Sequence, residues 1–247
     1  MINPAVFIGE PLSYKQFKVY PPKTKEVASN PFYNQYLRIL TFSQEEIEDE
    51  FAEKNIDSKK IPTPFEFLLA NCYDSKEVAL LTKQAFKFYM KIDVEFFYEA
   101  KLIVVGDLKK IIDEAKSIDD LVFIKEEDFF DIQNLIREVS GEKKVERPDK
   151  DEDPRVKRMK AKIRYRDKIK AKKSQGISLS TCLEAICCMG IGITPLNIGE
   201  ISYAAIPAIM EMYQEKEKYH IDIDSLISGI NSKKIKPKYW IRNSDKE

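Results

Sequence analysis

The sequence has few of the residue types on which enzyme active sites depend. It contains one histidine, His220, and eight glycines in 247 residues. His220 stands beside Tyr219 without a serine or cysteine motif nearby, a setting that is typical of a surface or helix-cap histidine. The motifs GxSxG, GxxxxGK(S/T) and HExxH do not occur. The sequence therefore predicts a protein that is not an enzyme.

Cysteine is also scarce, and its spacing argues against the common metal sites. The cysteines form no CxxC pair and have no companion histidines at zinc spacing. Three of them lie in apolar sequence, so we interpret them as small core residues and expect neither a metal site nor a cofactor. Gly190 and Gly192 follow an apparent helix rather than a strand, which predicts a turn and not a phosphate loop. The cysteines are Cys72, Cys182, Cys187 and Cys188.

No apolar run is long enough to predict a membrane span. The nearest candidate is residues 185–210, AICCMGIGITPLNIGEISYAAIPAIM, which Pro195, Asn197, Glu200 and Pro207 interrupt with groups that lipid would leave unsatisfied. This stretch predicts a buried core hairpin. The first ten residues lack the basic and apolar regions of a signal peptide, so we expect an intracellular protein.

Charge is abundant but unevenly distributed. The formal net charge is zero, yet residues 1–153 carry 22 Lys+Arg and 31 Asp+Glu, a net of −9. Residues 154–247 carry 19 and 10, a net of +9. Such segregation indicates a charged partner, a contact between the two halves of the chain, or both.

The hydrophobic pattern predicts a mainly α fold with small β-hairpins, in the α+β class. Short apolar runs predict a first hairpin from residues 5–8 and 17–20 and a second from 94–98 and 102–105. Three-to-four spacing of apolar residues predicts the helices, and Ser43 with Glu46 forms a capping box at the start of one of them. The predicted helices of this half are residues 24–29, residues 31–40, a helix that starts at residue 43, two helices within residues 64–90, residues 108–115 and residues 128–139. Gly141 ends the last of them.

Composition divides the chain into two parts. Residues 141–154, GEKKVERPDKDEDP, hold one apolar side chain and two prolines, and so predict a charged linker. An N-terminal α+β domain would occupy residues 1–140, and a basic helix with a helical C-terminal domain would occupy residues 155–247.

The C-terminal part shows its own start and stop signals. Ser178 is a suitable N-cap, and we expect Leu183, Ile186 and Cys187 to be buried on the helix that follows. Thr194 and Pro195 predict a helix restart. A long helix is then predicted over much of residues 200–219, with a bend at Pro207, and a short one over residues 222–228.

Two features suggest binding. The basic segment, residues 155–174, has eleven Lys or Arg, with apolar Val156, Met159 and Ile163 on one side, which predicts a projecting helix. It would bind phosphates or an acidic protein, or else be neutralised by the acidic half of its own chain. Near the C-terminus, two aromatic residues would stack on bases or fill a partner's groove, or else pack on their own domain. The candidate binding residues are Arg155, Lys157, Arg158, Lys162, Arg164, Arg166, Tyr239 and Trp240.

A set of segments spread over most of the chain resembles a family of uncharacterised proteins from phages of Gram-positive bacteria. They are YPPKTKEV at 20–27, YLRILTFSQEEI at 36–47, TPFEFLLAN at 63–71, RYRDKIKAK at 164–172, LEAICCMGIGITPLNIGEISYA at 183–204 and KPKYWIRN at 236–243. These proteins are similar to tail assembly chaperones, which keep the long tape-measure helix soluble while the tail tube polymerises. The resemblance implies no site residues.

Taken with the resemblance, the sequence favours a non-enzymatic phage assembly protein in the host cytoplasm or the virion, whose partner is a tail or tape-measure protein. An N-terminal half with two hairpins is more elaborate than many such chaperones, so a minor tail or head completion protein is one alternative. A nucleic-acid-binding protein that uses the basic segment is another. Against the latter, the helix expected after Pro195 is apolar and acidic, with Glu200 and Glu211 where a recognition helix needs Arg, Asn or Gln.

Overall fold

The computed structural model describes residues 2–53, 61–106, 121–147 and 178–228, together with Val156, Met159, Ile163 and Pro237. The fold is α+β and mainly helical, as the sequence predicts. The strands are β1 (Leu12–Tyr14), β2 (Phe17–Val19), β3 (Val94–Phe97), β4 (Leu102–Val105) and β5 (Val122–Ile124). The helices are α1 (Pro4–Ile8), α2 (Thr24–Ser29), α3 (Tyr33–Thr41), α4 (Gln44–Glu53), α5 (Pro64–Asp74), α6 (Lys76–Met90), α7 (Glu126–Val139), α8 (Leu179–Cys188) and α9 (Ala205–Ile227), with a 3-10 turn at Ile198–Glu200.

The first predicted strand is wrong, because residues 5–8 belong to helix α1. The Asn3 side chain accepts a hydrogen bond from the amide of Ala5, Pro4 occupies the first turn, and Gly9 ends the helix at a φ of 85°. These cap signals outweigh the strand preference of the apolar run. The hairpin is instead formed by β1 and β2, with Leu12 opposite Val19.

The second predicted hairpin is confirmed as β3 and β4, in antiparallel register with Val94 opposite Val105. The third strand of this sheet, β5, was not predicted from the sequence. It pairs with β4 through Ile103 and Ile124. The helix predicted over residues 108–115 lies outside the described residues.

The main core lies among helices α3, α5, α6 and α7 and the inner faces of both sheets. Apolar side chains spaced three and four apart on these helices meet there, as an amphipathic pattern requires. The capping boxes at Thr63–Glu66 and Ser43–Glu46 begin helices α5 and α4. The largest side chains in the core are Tyr89, Phe65, Phe86, Phe129 and Leu40.

The first half of the predicted linker is attached to helix α7. Asn134 donates from its side-chain amide to the carbonyl of Val145 (3.1 Å) and accepts from the amide of Val145 (2.9 Å). Arg147 forms an ion pair with Asp131 at 3.0 Å. Residues 141–147 therefore lie against the helix that precedes them. Residues 148–154 lie outside the described residues.

The C-terminal elements differ from the prediction in their bounds. Ser178 caps α8 as expected, but Thr194 and Pro195 begin a turn rather than a helix. The long helix α9 starts at Ala205 and continues to Ile227, so the separate helix predicted over residues 222–228 is its end. Pro207 lies in the first turn of α9, where a proline removes no intrahelical hydrogen bond.

The two parts of the chain meet at helix α2. The amide and the hydroxyl of Thr24 both donate to the carbonyl of Ile201, each at 2.9 Å, and the amide of Tyr203 donates to the carbonyl of Pro22 at 2.9 Å. Ala204 is buried in the main core. The division into two domains stays a prediction, but residues 201–204 are packed against the N-terminal part.

Candidate interaction surface

The residues predicted to bind a partner are not within the part of the chain that the structure describes. Their three described neighbours, Val156, Met159 and Ile163, are helical and exposed, and Met159 is 61% exposed. The projecting helix stays a prediction, because the residues between these three lie outside the described part of the chain. The undescribed candidates are Arg155, Lys157, Arg158, Lys162, Arg164, Arg166, Tyr239 and Trp240.

The most exposed apolar group among the described residues lies in the connection between α8 and the 3-10 turn. We call residues 190–197 the loop tip. Leu196 is 96% exposed, and Ile191 of the same loop is also exposed. The sequence predicted that this stretch is the turn of a buried hairpin. That prediction is wrong for Leu196 and Ile191, which are exposed, whereas Ile193 packs against the buried residues Ile186, Ile198 and Ile206.

Local hydrogen bonds fix the backbone of the loop tip. The side chain of Asn197 accepts from the amide of Thr194 (2.7 Å) and donates to the carbonyl of Gly192 (3.1 Å). Gly190 and Gly192 have φ values of 67° and 81°, in the left-handed region that glycine adopts without steric cost. Leu196 is therefore held in an ordered turn.

A small second core supports the loop tip. Ile186 of α8, Ile198 of the 3-10 turn and Ile206 of α9 are buried together. The burial predicted for Ile186 is confirmed, but Leu183 and Cys187 are only partly buried. Three buried side chains make a small core, so the apolar residues around it remain half-exposed. These half-exposed residues could contact a binding partner.

The ion pairs of Glu200 fasten this C-terminal unit to α2. The carboxylate of Glu200 contacts Lys23 at 2.6 Å and also pairs with Lys25. Hydrogen bonds from Lys23 and Lys25 lower the pKa of Glu200 from 4.5 to about 2. The carboxylate is consequently charged over the whole neutral and mildly acidic range.

The cysteines differ in environment. Cys72 is buried, and desolvation raises the pKa of its thiol to about 11, so it is protonated and unreactive at neutral pH. Cys188 is exposed, whereas Cys182 and Cys187 are partly buried. Within the described ranges, no group of three or more His, Cys, Asp or Glu side chains is arranged to hold a metal ion.

Two shallow clefts open on the N-terminal part. The first, of about 240 Å³, has the stacked rings of Tyr73 and Tyr98 at its edge, with centroids 5.2 Å apart. Its charged groups, Lys83 and Glu95, are paired with each other at 2.6 Å. The second cleft, of about 270 Å³, contains Arg137, which is paired with a neighbouring glutamate. Both clefts hold charges that structural ion pairs already use.

Comparison of the chain with known protein families, with curated proteins and with solved structures finds no match. Of the helices that the structure describes, none combines the length and the apolar character needed to cross a bilayer. His220 is exposed on α9, as expected for a surface histidine, and its ring lies edge-on to Tyr219.

The sequence did contain a signal for the loop tip. Gly190, Gly192, Pro195 and Asn197 are all turn formers, and Leu196 stands among them. Turn residues occupy the surface, so an apolar side chain between them has few neighbours that can cover it. The high mean hydropathy of the whole stretch concealed this local arrangement.

Proposed function

We propose that the protein is a non-enzymatic assembly protein of a tailed phage that acts in the host cytoplasm. In this proposal it is a tail assembly chaperone, and its client is an elongated helical protein such as a tape-measure protein. The proposal starts from the family resemblance of the sequence. The structural observation that supports it is the exposed leucine on the ordered loop tip.

Leu196 is suited to serve as an anchor for a partner. Burial of a leucine side chain contributes about 1.5–3 kcal/mol, and this contribution is not realised while Leu196 faces water. An ordered turn loses little conformational entropy on binding, so most of that gain would appear as affinity.

A tape-measure helix has the complementary chemistry. A long helix that is not yet enclosed by its tube leaves an apolar stripe in water and aggregates through it. Leu196 and Ile191 would cover part of that stripe, as in other helix-binding surfaces. The basic segment would speed the encounter with an acidic client through long-range attraction.

Co-expression tests this function. The tape-measure protein of the same phage genome is produced alone, with this protein, or with its variants, and the soluble fraction is measured. We expect rescue of solubility by the natural protein and loss of rescue by Leu196→Asp. Leu80→Asp is the matched control, since Leu80 is 59% exposed on α6 in the N-terminal part and its replacement should leave rescue intact.

A titration with labelled duplex DNA in the same preparation separates the main alternative. A chaperone should bind duplex weakly at physiological salt. Tight duplex binding that weakens steeply with salt, without any rescue of the tape-measure protein, would overturn the proposal in favour of nucleic-acid binding by the basic segment.

A further inference from the structure

Strand β3 forms one edge of the three-stranded sheet and presents outward-pointing backbone groups. The amide of Gly106 donates to the carbonyl of Asp93 at 2.7 Å, which makes Asp93 a hydrogen-bonded position of the antiparallel ladder with β4. Such positions alternate along a strand, so the backbone groups of Val94 and Phe96 point away from β4. Among the described residues, none forms a hydrogen bond with these outward amides and carbonyls.

The first of the two clefts, of about 240 Å³, lies between β3 and two helices. Glu95 and Phe96 line it from the strand, Leu69 lines it from α5, and Ala79 and Lys83 line it from α6. We call it the β3 cleft. The ion pair of Lys83 with Glu95 joins its two sides, but these side chains are 34% and 33% exposed. An ion pair that is exposed to this extent contributes little stability, so an entering chain can displace it.

Two exposed tyrosine rings lie at the rim of the β3 cleft. Tyr73 at the end of α5 is 72% exposed, and Tyr98 after β3 is 46% exposed. The rings stack on each other with their centroids 5.2 Å apart, which leaves the outer faces of the pair open to a partner. Aromatic rings that are held in place in this way are common anchors for binding.

The surroundings of the two tyrosines are acidic on balance. Asp74 and Glu99 directly follow the tyrosines, both are exposed, and within the described part of the chain neither forms an ion pair. Counted within four positions of either tyrosine, with ion-pair partners included, five acidic and three basic side chains give a net charge of −2. A cation is attracted both to carboxylates and to the face of a tyrosine ring. The rim therefore favours a lysine or arginine side chain of a partner.

We propose that the β3 cleft binds an extended segment of a partner protein, which adds to the edge of β3 as a further strand. The main chain of the partner exchanges hydrogen bonds with the outward groups of Val94 and Phe96. An apolar side chain of the segment enters the cleft beside Leu69 and Ala79, and a lysine or arginine lies against Tyr73 at the acidic rim.

A second copy of this chain does not suit the same edge. Antiparallel pairing of β3 with β3 places a twofold axis perpendicular to the sheet, so α5 and α6 of both copies would lie on one face of the joined sheet. These helices line the cleft beside the edge, where the two sets would compete for the same space. An extended segment brings no helices with it.

A set of synthetic hexapeptides tests the proposal on the full-length protein. In each peptide threonine alternates with valine, leucine or phenylalanine, and one end carries lysine. Binding is measured by fluorescence anisotropy, and amide hydrogen exchange is followed by NMR. With peptide bound, we expect the amides of Val94 and Phe96 to exchange about tenfold more slowly or slower still. The amides of Glu95 and Phe97 already face β4 and should change little.

Backbone N-methylation separates strand addition from binding through side chains alone. In the tightest-binding peptide, every second amide is methylated, in either of the two possible phases. Only one set of amides faces β3, so one methylated peptide should lose binding and the other should retain it. An equal effect of methylation in the two phases would overturn the proposal.

Two substitutions on α6 test the position of the cleft. Ala79→Phe fills the cleft and should weaken peptide binding by about tenfold or more. Leu80→Phe is the matched control, because Leu80 is 59% exposed on the same helix and is not among the residues that line the cleft. Circular dichroism checks that both variants keep the helical content of the natural protein. An equal loss of binding in both variants would contradict the proposed position.

Reversal of charge at the rim gives a readout that does not depend on Ala79. The natural protein should bind the lysine peptide more tightly than the same peptide with glutamate in place of lysine. The double variant Asp74→Lys, Glu99→Lys should show the opposite preference, and both replaced side chains are exposed, so the fold should be unaffected. An unchanged preference would overturn the proposal, as would the failure of every peptide in the set to bind at about 1 mM.

Discussion

Glu200 links the stability of the contact between the two parts of the chain to pH. Its pKa is lowered from 4.5 to about 2 in the folded protein by hydrogen bonds from Lys23 and Lys25. A carboxyl group with a lowered pKa stabilises the folded form above its unfolded pKa, and the contribution is lost as the pH falls towards the folded value. The ion pairs of Glu200 with Lys23 and Lys25 should therefore persist at pH 5 and weaken between about pH 4.5 and pH 2.

Hydrogen exchange of the backbone amides between residues 198 and 206 measures this effect. At pH 5 we expect these backbone amides to be better protected in the natural protein than in Glu200→Gln. The neutral glutamine side chain cannot form the ion pairs with Lys23 and Lys25. The difference should shrink as the pH falls towards 2, since protonation removes the same charge from the natural side chain. A difference that is constant with pH would show that Glu200 acts through its shape and not its charge.

Single residues also show how well local signals were read from the sequence. Cap residues act on amides two or three positions away, so Ser43 and Ser178 were placed correctly from sequence alone. Burial depends on what the rest of the fold brings nearby. Leu183 and Cys187 lie on the apolar side of α8 and pack against the small second core, but that core is too small to bury them as fully as Ile186.

Helix α6 ends in a conformation that its sequence does not favour. Lys91 has a φ of 59°, and a non-glycine residue in the left-handed region costs roughly 1–2 kcal/mol. Glycine avoids that cost but loses about 0.5–1 kcal/mol of backbone entropy on folding. Lys91→Gly should therefore raise the free energy of unfolding by about 0.5–1 kcal/mol, measured by urea denaturation.

Lys91→Ala is the control for this prediction. Alanine keeps the unfavourable backbone conformation and removes the hydrogen bond from the lysine ammonium to the carbonyl of Phe88 at 2.9 Å. It should be no more stable than the natural protein. Equal stabilisation by glycine and alanine would locate the effect in the removed charge instead.

Whole elements were predictable where their pattern was long. Helices α5 and α6 span enough turns for the three-to-four spacing to be unmistakable, and β3 and β4 have an aromatic and β-branched composition. Strand β5 is three residues long, too short for alternation to register, and only its pairing with β4 makes it a strand. Helix α1 was predicted as a strand because its apolar run was given more weight than the helix-capping residues Asn3, Pro4 and Gly9.

At the scale of the molecule, the attachment of residues 141–147 to α7 changes where the chain should be cleaved between its two parts. A protease that cuts after glutamate has sites at Glu142, Glu146 and Glu152. A protease cleaves a segment only when that segment can detach from its hydrogen-bond partners. Residues 142–147 are held against α7, so they should resist cleavage. We expect cleavage after Glu152 to precede cleavage after Glu142 or Glu146, as mass spectrometry of timed digests would show.

The fragments should remain together after that cut. Residues 201–204 are hydrogen-bonded to Pro22 and Thr24, and Ala204 is buried in the main core. Under native conditions the two fragments should therefore elute as one species in size-exclusion chromatography and separate in urea. Separate elution without denaturant would establish two independent domains. Early cleavage after Glu142 would show that the attachment to α7 is weak.

The candidate surfaces were only partly predictable from the sequence. Charge and spacing along one segment are local properties, so the exposed row at Val156, Met159 and Ile163 could be expected from the sequence. The turn around Leu196 could be expected from its turn-forming neighbours, but the 96% exposure of Leu196 also depends on which parts of the fold lie nearby, and one segment does not determine that. The full length of α9 was missed, because it was predicted as a long helix over much of residues 200–219 and a separate short helix over residues 222–228.

The position of Ala204 has a consequence for the synthesis of the protein. The N-terminus of the chain leaves the ribosome first. Residues 1–147 therefore emerge well before Ala204, which completes their core. Until residues 201–204 appear, the edge of α2 and the pocket that receives Ala204 are open to water. Nascent chains stalled before this point should be bound by general chaperones and degraded faster than the finished protein, although they already contain most of the N-terminal helices and both sheets.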